Sequence, residues 1–292
     1  MKVSLGPIQY HWSRQQIVEF YQAASSSDAD IIYLGETVCS KRTELHPNEW
    51  IELTEELSNN TDKQIVLSTQ TLLETPADMA LLKRYCDNSP VLIEANDMGA
   101  IGLLSDNKLP FVSGHAINCY NARTLKQLRN LGMQRWVMPV ELSRQWLSKL
   151  LQEANDIGVD MDFETEVFSH GYLPLAYSAR CFTSRNENRE KSDCQQCCIQ
   201  YPQGLAVKSQ AQQRIFTLNG IQTQSGYCYN LLNDLASMDN LVDVARISPL
   251  DIGSLATVSA FKHRQPDQQP LLASQQQCNG YWQQNIGMAN IM

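Results

Sequence analysis

Residues 29–35 read ADIIYLG, a continuous apolar run without the alternation of a half-exposed strand. Such runs are typical of parallel strands covered on both faces. The stretch before it, SRQQIVEFYQAA, reads as a helix: Ser13 is a natural N-cap, Gln16 completes a capping box, and Ile17, Phe20, Tyr21 and Ala24 fall on one face at the helical period. KVSLGP before that helix is another strand. The alternation continues downstream. HPNEWIELTEEL is a helix with Trp50, Leu53 and Leu57 as its stripe, and QIVLST, PVLIEAN, PFVSGH, RWVMPVE and DMDFETEVF repeat the strand theme. Between them lie NARTLKQLRNLG and LSRQWLSKLLQEANDIG, capped by Asn121 and Ser143 and closed by Gly132 and Gly158. RIFTLNG and VDVARIS read as later strands, with SGYCYNLLNDLASM as a helix between them.

About eight strand–helix units in succession predict an α/β fold with a parallel sheet, best satisfied by a (β/α)8 TIM-barrel-like closure, possibly irregular. An open doubly wound sheet is the alternative. No G-x-G-x-x-G or G-x-x-x-x-G-K-[ST] fingerprint follows a predicted strand, so neither a dinucleotide site nor a P-loop is indicated. The 292 residues are expected to form a single domain. From about residue 262 the composition turns to glutamine and proline (HRQPDQQPLLASQQQ), which reads as a linker, with CNGYWQQNIGM as a tail able to dock back, 262–292 in all.

An apolar share of 43% fits a globular chain, and a net charge of −8 argues against a nucleic-acid groove as the main surface. MKVSLGPIQYHW shows no apolar run of leader length, and no run in the chain reaches the roughly 18–20 residues of a membrane span. The expected location is the cytoplasm, where nine cysteines, an odd number, are thiols or metal ligands rather than disulfides.

Four cysteines stand out. Cys181, Cys194 and Cys198 lie in the polar stretch AYSARCFTSRNENREKSDCQQCCIQYP, which offers little material for a core, and Cys39 follows the strand ADIIYLG at the face where barrel strands end. Thiolates are soft ligands suited to iron–sulfur clusters or zinc. Local spacing leaves two readings open, because Cys194 with Cys197 forms a CxxC zinc-knuckle pair and Cys194 with Cys198 a C-x3-C pair. Cys86, Cys119, Cys228 and Cys278 read as small buried hydrophobes.

Catalytic residues of a parallel barrel sit at the C-terminal ends of its strands. Reading each strand to its end gives Glu36, Glu94, His115, Glu141 and Glu166 as a candidate ring, although strand ends meeting solvent favour polar residues in any case. His170 is a further candidate base. Tyr172, Tyr177 and Arg180 flank the cysteine stretch, with Arg180 a candidate donor to cluster sulfides or an acidic substrate. No nucleophile elbow and no H-E-x-x-H occurs, which weakens any hydrolase reading.

EVFSHGYLPLAYSARCFTS followed by CQQCC resembles the signature of the U32 family, historically described as peptidases, whose pattern runs roughly E-V-F-x-H-G-x-x-C-x-A-Y-S-G-R-C. Glu166, His170, Gly171, Tyr177, Ser178, Arg180 and Cys181 match it, while Pro174 stands where the family's first cysteine is expected. Cys39 in GETVCSKR can replace that ligand. The resemblance implies a [4Fe-4S] cluster held by Cys39, Cys181, Cys194 and Cys198, preferring Cys198 because the family's C-x3-C has proline where Cys197 stands. It further implies a heterodimer with a UbiU-like U32 subunit, hydroxylation of the aromatic ring of a ubiquinone precursor without O2, and a UbiT-like lipid-binding accessory protein. RNA base hydroxylation, peptidase activity and a non-catalytic iron–sulfur scaffold are the alternatives within the same resemblance.

Overall fold

The structure is a computed structural model, and it describes residues 1–264 and 276–291. Eight parallel strands close into a barrel: β1 (Lys2–Leu5), β2 (Ile31–Leu34), β3 (Gln64–Ser68), β4 (Leu92–Ala95), β5 (Phe111–Ser113), β6 (Met133–Val137), the first part of β7 (Glu164–Tyr177) and, after an inserted lobe, β11 (Val244–Ile247). The seam closes where Val244 pairs with Lys2 of β1 on one side and Glu166 of β7 on the other. This is the (β/α)8 TIM-barrel-like fold that the repeating apolar strands predict.

Six helices cover the outside in turn: α1 (Arg14–Ser25), α2 (Pro47–Asn60), α3 (Pro76–Asn88), α4 (Met98–Asp106), α5 (Ala122–Asn130) and α6 (Arg144–Asp156). The Ser13–Gln16 capping box forms, and Ile17, Phe20, Tyr21 and Ala24 bury the face of α1 that their spacing marks out. Asn121 and Ser143 cap α5 and α6 with their side chains, and Gly132 and Gly158 take the positive φ (107° and 68°) that lets the chain leave those helices.

The seventh crossover departs from the expected pattern. β7 does not stop at the barrel rim but continues to Tyr177, beyond where the sequence suggests a loop. It pairs antiparallel with β10 (Gln222–Asn230), which pairs with β9 (Arg214–Asn219), which pairs with β8 (Leu205–Lys208). The helix expected over SGYCYNLLNDLASM is therefore mostly absent: Ser225–Asn230 lie in β10, Leu232–Asp234 make one 3-10 turn, and only α8 (Leu235–Met238) is α-helical. Ladder partners on both sides outweigh local helix propensity, and a Cβ at Gly226 would come within 2.6 Å of the Arg214 carbonyl oxygen. RIFTLNG is likewise a strand of this lobe rather than of the barrel. The short α7 (Phe182–Asn186) begins just past β7, and α9 (Ser254–Lys262) packs on β1 and β11.

Lys262 ends α9, and the linker expected from there falls largely on residues 265–275, outside the described residues. Beyond it, β12 (Gln277–Cys278) pairs with β10 and Trp282 is buried, its indole N–H donating to Ser237 at 2.8 Å. Among the described residues no helix is long and apolar enough to cross a membrane.

The barrel lumen holds Ile31, Tyr33, Val66, Val112, Val137 and Val244. It also holds charge. Arg246 donates to Glu166 and to Glu94, each at 2.7 Å, and its guanidinium lies 4.1 Å from the centre of the Tyr33 ring. Ser4 and Tyr33 also donate to Glu166, at 2.6 and 2.5 Å, and Arg135 reaches Tyr33 and Glu164.

Candidate functional site

Cys39 and Cys181 meet above the C-terminal ends of the strands. Gly35, at φ +123°, turns the chain out of β2 where a Cβ would come within 2.4 Å of the Ser68 carbonyl oxygen. Glu36 then folds back to accept the N–H groups of Val38 and Cys39 at 2.8 and 3.0 Å, which fixes the Cys39 turn. Cys181 follows the extended end of β7 and caps α7, its sulfur accepting the Ser184 N–H at 3.4 Å. α7 is tied to the β9–β10 turn by Phe182 N–H to the Gly220 carbonyl and Gly220 N–H to Thr183, both at 3.0 Å. Val38, Cys181 and Ile221 form a small apolar cluster with Cys39 and Leu72 packed against it.

The remaining cysteines arrive on the surface turn after α7, where Gln195 and Gln196 both take left-handed φ (46° and 50°). Cys39, Cys181, Cys194, Cys197 and Cys198 then line one narrow cavity of about 20 Å³, flanked by Lys41, Arg42 and Lys191. The structure thus brings together all four cysteines of the expected ligand set, with Cys197 beside them.

The surroundings of these thiols are cationic. Arg42 is buried and its charge faces Cys198 and Cys39. His11 Nδ1 lies 3.1 Å from the Cys198 sulfur. Burial pushes the Cys39 thiol up to about 11, with Arg42 opposing, and raises Cys198 against the same arginine. A metal centre binding here would displace protons from the thiols, and the neighbouring positive charges would favour the thiolates it creates.

The donor chemistry fits an iron–sulfur centre: several soft sulfurs and a cationic rim to offset a cluster's negative charge. Two features bear on how it would be held. Among the described residues no three His, Cys, Asp or Glu side chains are grouped as a site for one metal ion. The cavity is narrow, and the cysteines share its wall with Lys41, Arg42 and Lys191.

The expected ring of strand-end residues does not form as one site. Glu94 and Glu166 are fully buried in ion pairs with Arg246. Burial pushes Glu166 up, but Arg246 and Arg135 outweigh it and hold the carboxyl below the usual range. Glu36 serves the Cys39 turn, with Arg42 at 3.7 Å. Glu141 is exposed and bonded to Tyr120. His170 is packed against Phe261 of α9 and Cys228, 3.8 Å away, and burial pushes it down to about 4. His115 stands apart from these, close to the charged layer, with Nε2 3.0 Å from the Tyr177 hydroxyl; burial pushes it down to about 4, so it is neutral. Arg180 is exposed and does not line the cysteine cavity, where Arg42 stands instead.

His11 and Arg42, both beside the cysteines, are not legible as site residues in the sequence, since no motif marks them. The sequence hint for Arg42 is its position three residues beyond Cys39.

The molecule is thus a TIM-barrel-like protein with a cluster of cysteines at the C-terminal end of its barrel. A profile of peptidase family U32 matches residues 16–250, and the chain belongs to that family. It is 30% identical over 123 residues to the tRNA hydroxylation protein P of Haemophilus influenzae, and 27% identical over 122 residues to that of Escherichia coli K12. Each match covers 40% of this chain and about a quarter of the curated relative (25% and 26%). Among solved structures, the U32 peptidase Mk0906 aligns over 85% of this chain and 93% of its own, with a TM-score of 0.46 and 11% identity. A type I 3-dehydroquinate dehydratase from Clostridium difficile aligns over 58% and 76%, with a TM-score of 0.40 and 15% identity. The barrel itself is read from its own strand pairing.

Proposed function

We propose that this chain is a [4Fe-4S] subunit of a heterodimeric, O2-independent hydroxylase acting on the aromatic ring of ubiquinone precursors. The observation that carries the iron–sulfur part is the convergence of Cys39, Cys181, Cys194 and Cys198 on one cavity from three separate segments. A tetrahedral zinc asks all its ligands to meet at one point, whereas a cubane gives each thiolate its own iron and spreads the sulfurs apart. The resemblance of EVFSHGYLPLAYSARCFTS and CQQCC to the U32 signature, which implies a four-cysteine cluster, favours the second arrangement. With four cysteines bound, such a cluster has no open iron and supplies electron transfer. The chain's own part is to hold it between Arg42, Lys41 and Lys191 and away from bulk water.

Hydroxylation as the general chemistry is supported by the relatives named tRNA hydroxylation protein P. The ubiquinone substrate rests on resemblance. SLGP from Ser4, IYLGETVCSKR, LPFVSGHAINCYNA, LPLAYSARCFT, LNGIQTQSGY and CNGYW resemble UbiV, the partner of UbiU in oxygen-independent ubiquinone biosynthesis. On this reading the complex contains a UbiU-like subunit, with a UbiT-like lipid-binding protein presenting the prenylated substrate.

The second reading is tRNA hydroxylation, which the names of the matched relatives favour. A net charge of −8 counts against it, because phosphate contacts need a basic surface. An anaerobic assay with a UbiU-like subunit, run in parallel on a prenylated phenol and on tRNA, separates the two. The expected result is a new ring hydroxyl on the phenol that disappears when this chain is omitted. Modification of tRNA alone would move the function to RNA, and full activity of the partner alone would make this chain an accessory.

A further inference from the structure

Four buried polar atoms at the barrel mouth have no hydrogen-bond partner among the described residues: Gln70 Oε1, Asn96 Oδ1, Ser113 Oγ and His115 Nδ1. All four side chains belong to residues at least nine-tenths buried, and all sit at or just past the ends of β3, β4 and β5. Buried polar groups are normally paired, so such a concentration points to a ligand.

The roles of two of these atoms follow from their neighbours. Gln222 Oε1 accepts from Asn219 and Gln224 at 3.0 and 2.8 Å, so its amide nitrogen faces Tyr177 and donates to that hydroxyl at 3.0 Å. The Tyr177 hydroxyl, already accepting, gives its own proton to His115 Nε2 at 3.0 Å. The neutral imidazole then carries its proton on Nδ1, a donor with nothing to receive it. Asn96 is fixed in the opposite sense: its amide nitrogen donates to the Thr69 carbonyl at 2.9 Å, leaving Oδ1 as an acceptor with nothing to receive. Asn96 Oδ1 lies beside Gly114, the residue before His115 in the chain, where an added Cβ would fall 1.9 Å from it.

We propose that Asn96 and His115, with Tyr177 behind them, form a binding site for the hydroxyl group of a neutral phenol. One hydroxyl can accept from His115 Nδ1–H and donate to Asn96 Oδ1, which satisfies both buried groups at once. A charged ligand finds little net charge to answer it, since the Arg246 guanidinium is paired with Glu94 and Glu166 through Nη1 and Nε and only its Nη2 is left without a partner among the described residues. The Tyr177 ring, 6.4 Å from the His115 ring, offers an aromatic edge to the phenol. The choice of a phenol rests on the hydroxylase reading above. It also fits the route to the cysteines: from Tyr177 through Gln222 and Asn219 to Arg42, every link is a hydrogen bond of 2.8–3.0 Å, and the Arg42 charge faces Cys198.

The test uses the full-length chain, titrated calorimetrically with 2-allylphenol and with allylbenzene, its counterpart without the hydroxyl. The phenol is expected to bind at least about tenfold more tightly, the worth of a well-made hydrogen-bonded pair. His115→Phe, which removes the donor, and Tyr177→Phe, which frees the tautomer, should each reduce that preference, with melting curves confirming that both variants fold. In nitrogen-15 histidine spectra the wild-type His115 should show the Nδ1–H tautomer. Equal binding of the two probes, no binding of either, or a preference kept in both variants would overturn the proposal. None of these readings depends on iron: a chain without iron that still prefers the phenol sinks only the cluster, and one with iron but no preference sinks only this site.

Discussion

The charged layer inside the barrel and the cysteine cavity above it are both rich in ionisable groups, yet they are built in opposite ways. In the lumen, Arg246, Glu94, Glu166 and Arg135 are tied to one another and to Ser4 and Tyr33 by hydrogen bonds that fix their positions. Around the cavity, five thiols face one space, and the nearby charges come from Arg42, Lys41 and Lys191. Charges that answer each other hold a fold together, whereas donors of one kind facing one space are arranged for something not made of protein.

Glu166→Gln tests the first half of that contrast and should have the largest effect on stability. It leaves the Arg246 and Arg135 charges short of a counter-charge in a buried layer, at a cost of about 3–5 kcal/mol, read from urea melts. The effect should depend on pH. Glu166 is held below the ordinary carboxylate range, so its stabilisation is complete above that range and fades as pH falls through the lowered value. The gap between wild type and Glu166→Gln should therefore be widest near neutrality and shrink in acid, and a gap independent of pH would break the assignment. Gly114→Ala comes next. Its Cβ would fall on Asn96 Oδ1, and a loss of about 1–3 kcal/mol is expected, whereas an unchanged melt would mean that the barrel mouth yields easily.

The cysteines should behave in the reverse manner. Alanine at Cys39, Cys181, Cys194 or Cys198 should leave the stability of the metal-free chain within about 1 kcal/mol of wild type and remove most of the bound iron. Cys197→Ala should have the smallest effect, with iron retained, even though Cys197 lines the same cavity. If Cys197→Ala emptied the chain of iron and Cys198→Ala did not, the two would exchange roles.

The barrel was legible because parallel strands buried on both faces, such as IIYL and QIVLS, declare themselves without context. The lobe was not. Its β10 contains SGYCYN, whose extended form is set by ladders to β7 and β9 that lie far off in sequence. The cysteine set was legible from residue type, since free thiols in a polar stretch have little structural use. The strand-end carboxylates misled because a position near a strand end does not say whether a side chain points into the lumen, as Glu94 and Glu166 do, or into solvent, as Glu141 does. The barrel-mouth pairing of Asn96 with His115 was invisible for a simpler reason: an unpaired hydrogen-bonding atom is a property of three-dimensional neighbours.

The central claim is that the four cysteines hold a cluster, and elemental analysis of the anaerobically purified chain tests it most directly. Iron, acid-labile sulfide and zinc would be measured together with the visible spectrum. About four irons and four sulfides per chain, with broad visible absorption, is the predicted result. One zinc without sulfide would contradict it and leave the cavity a structural site.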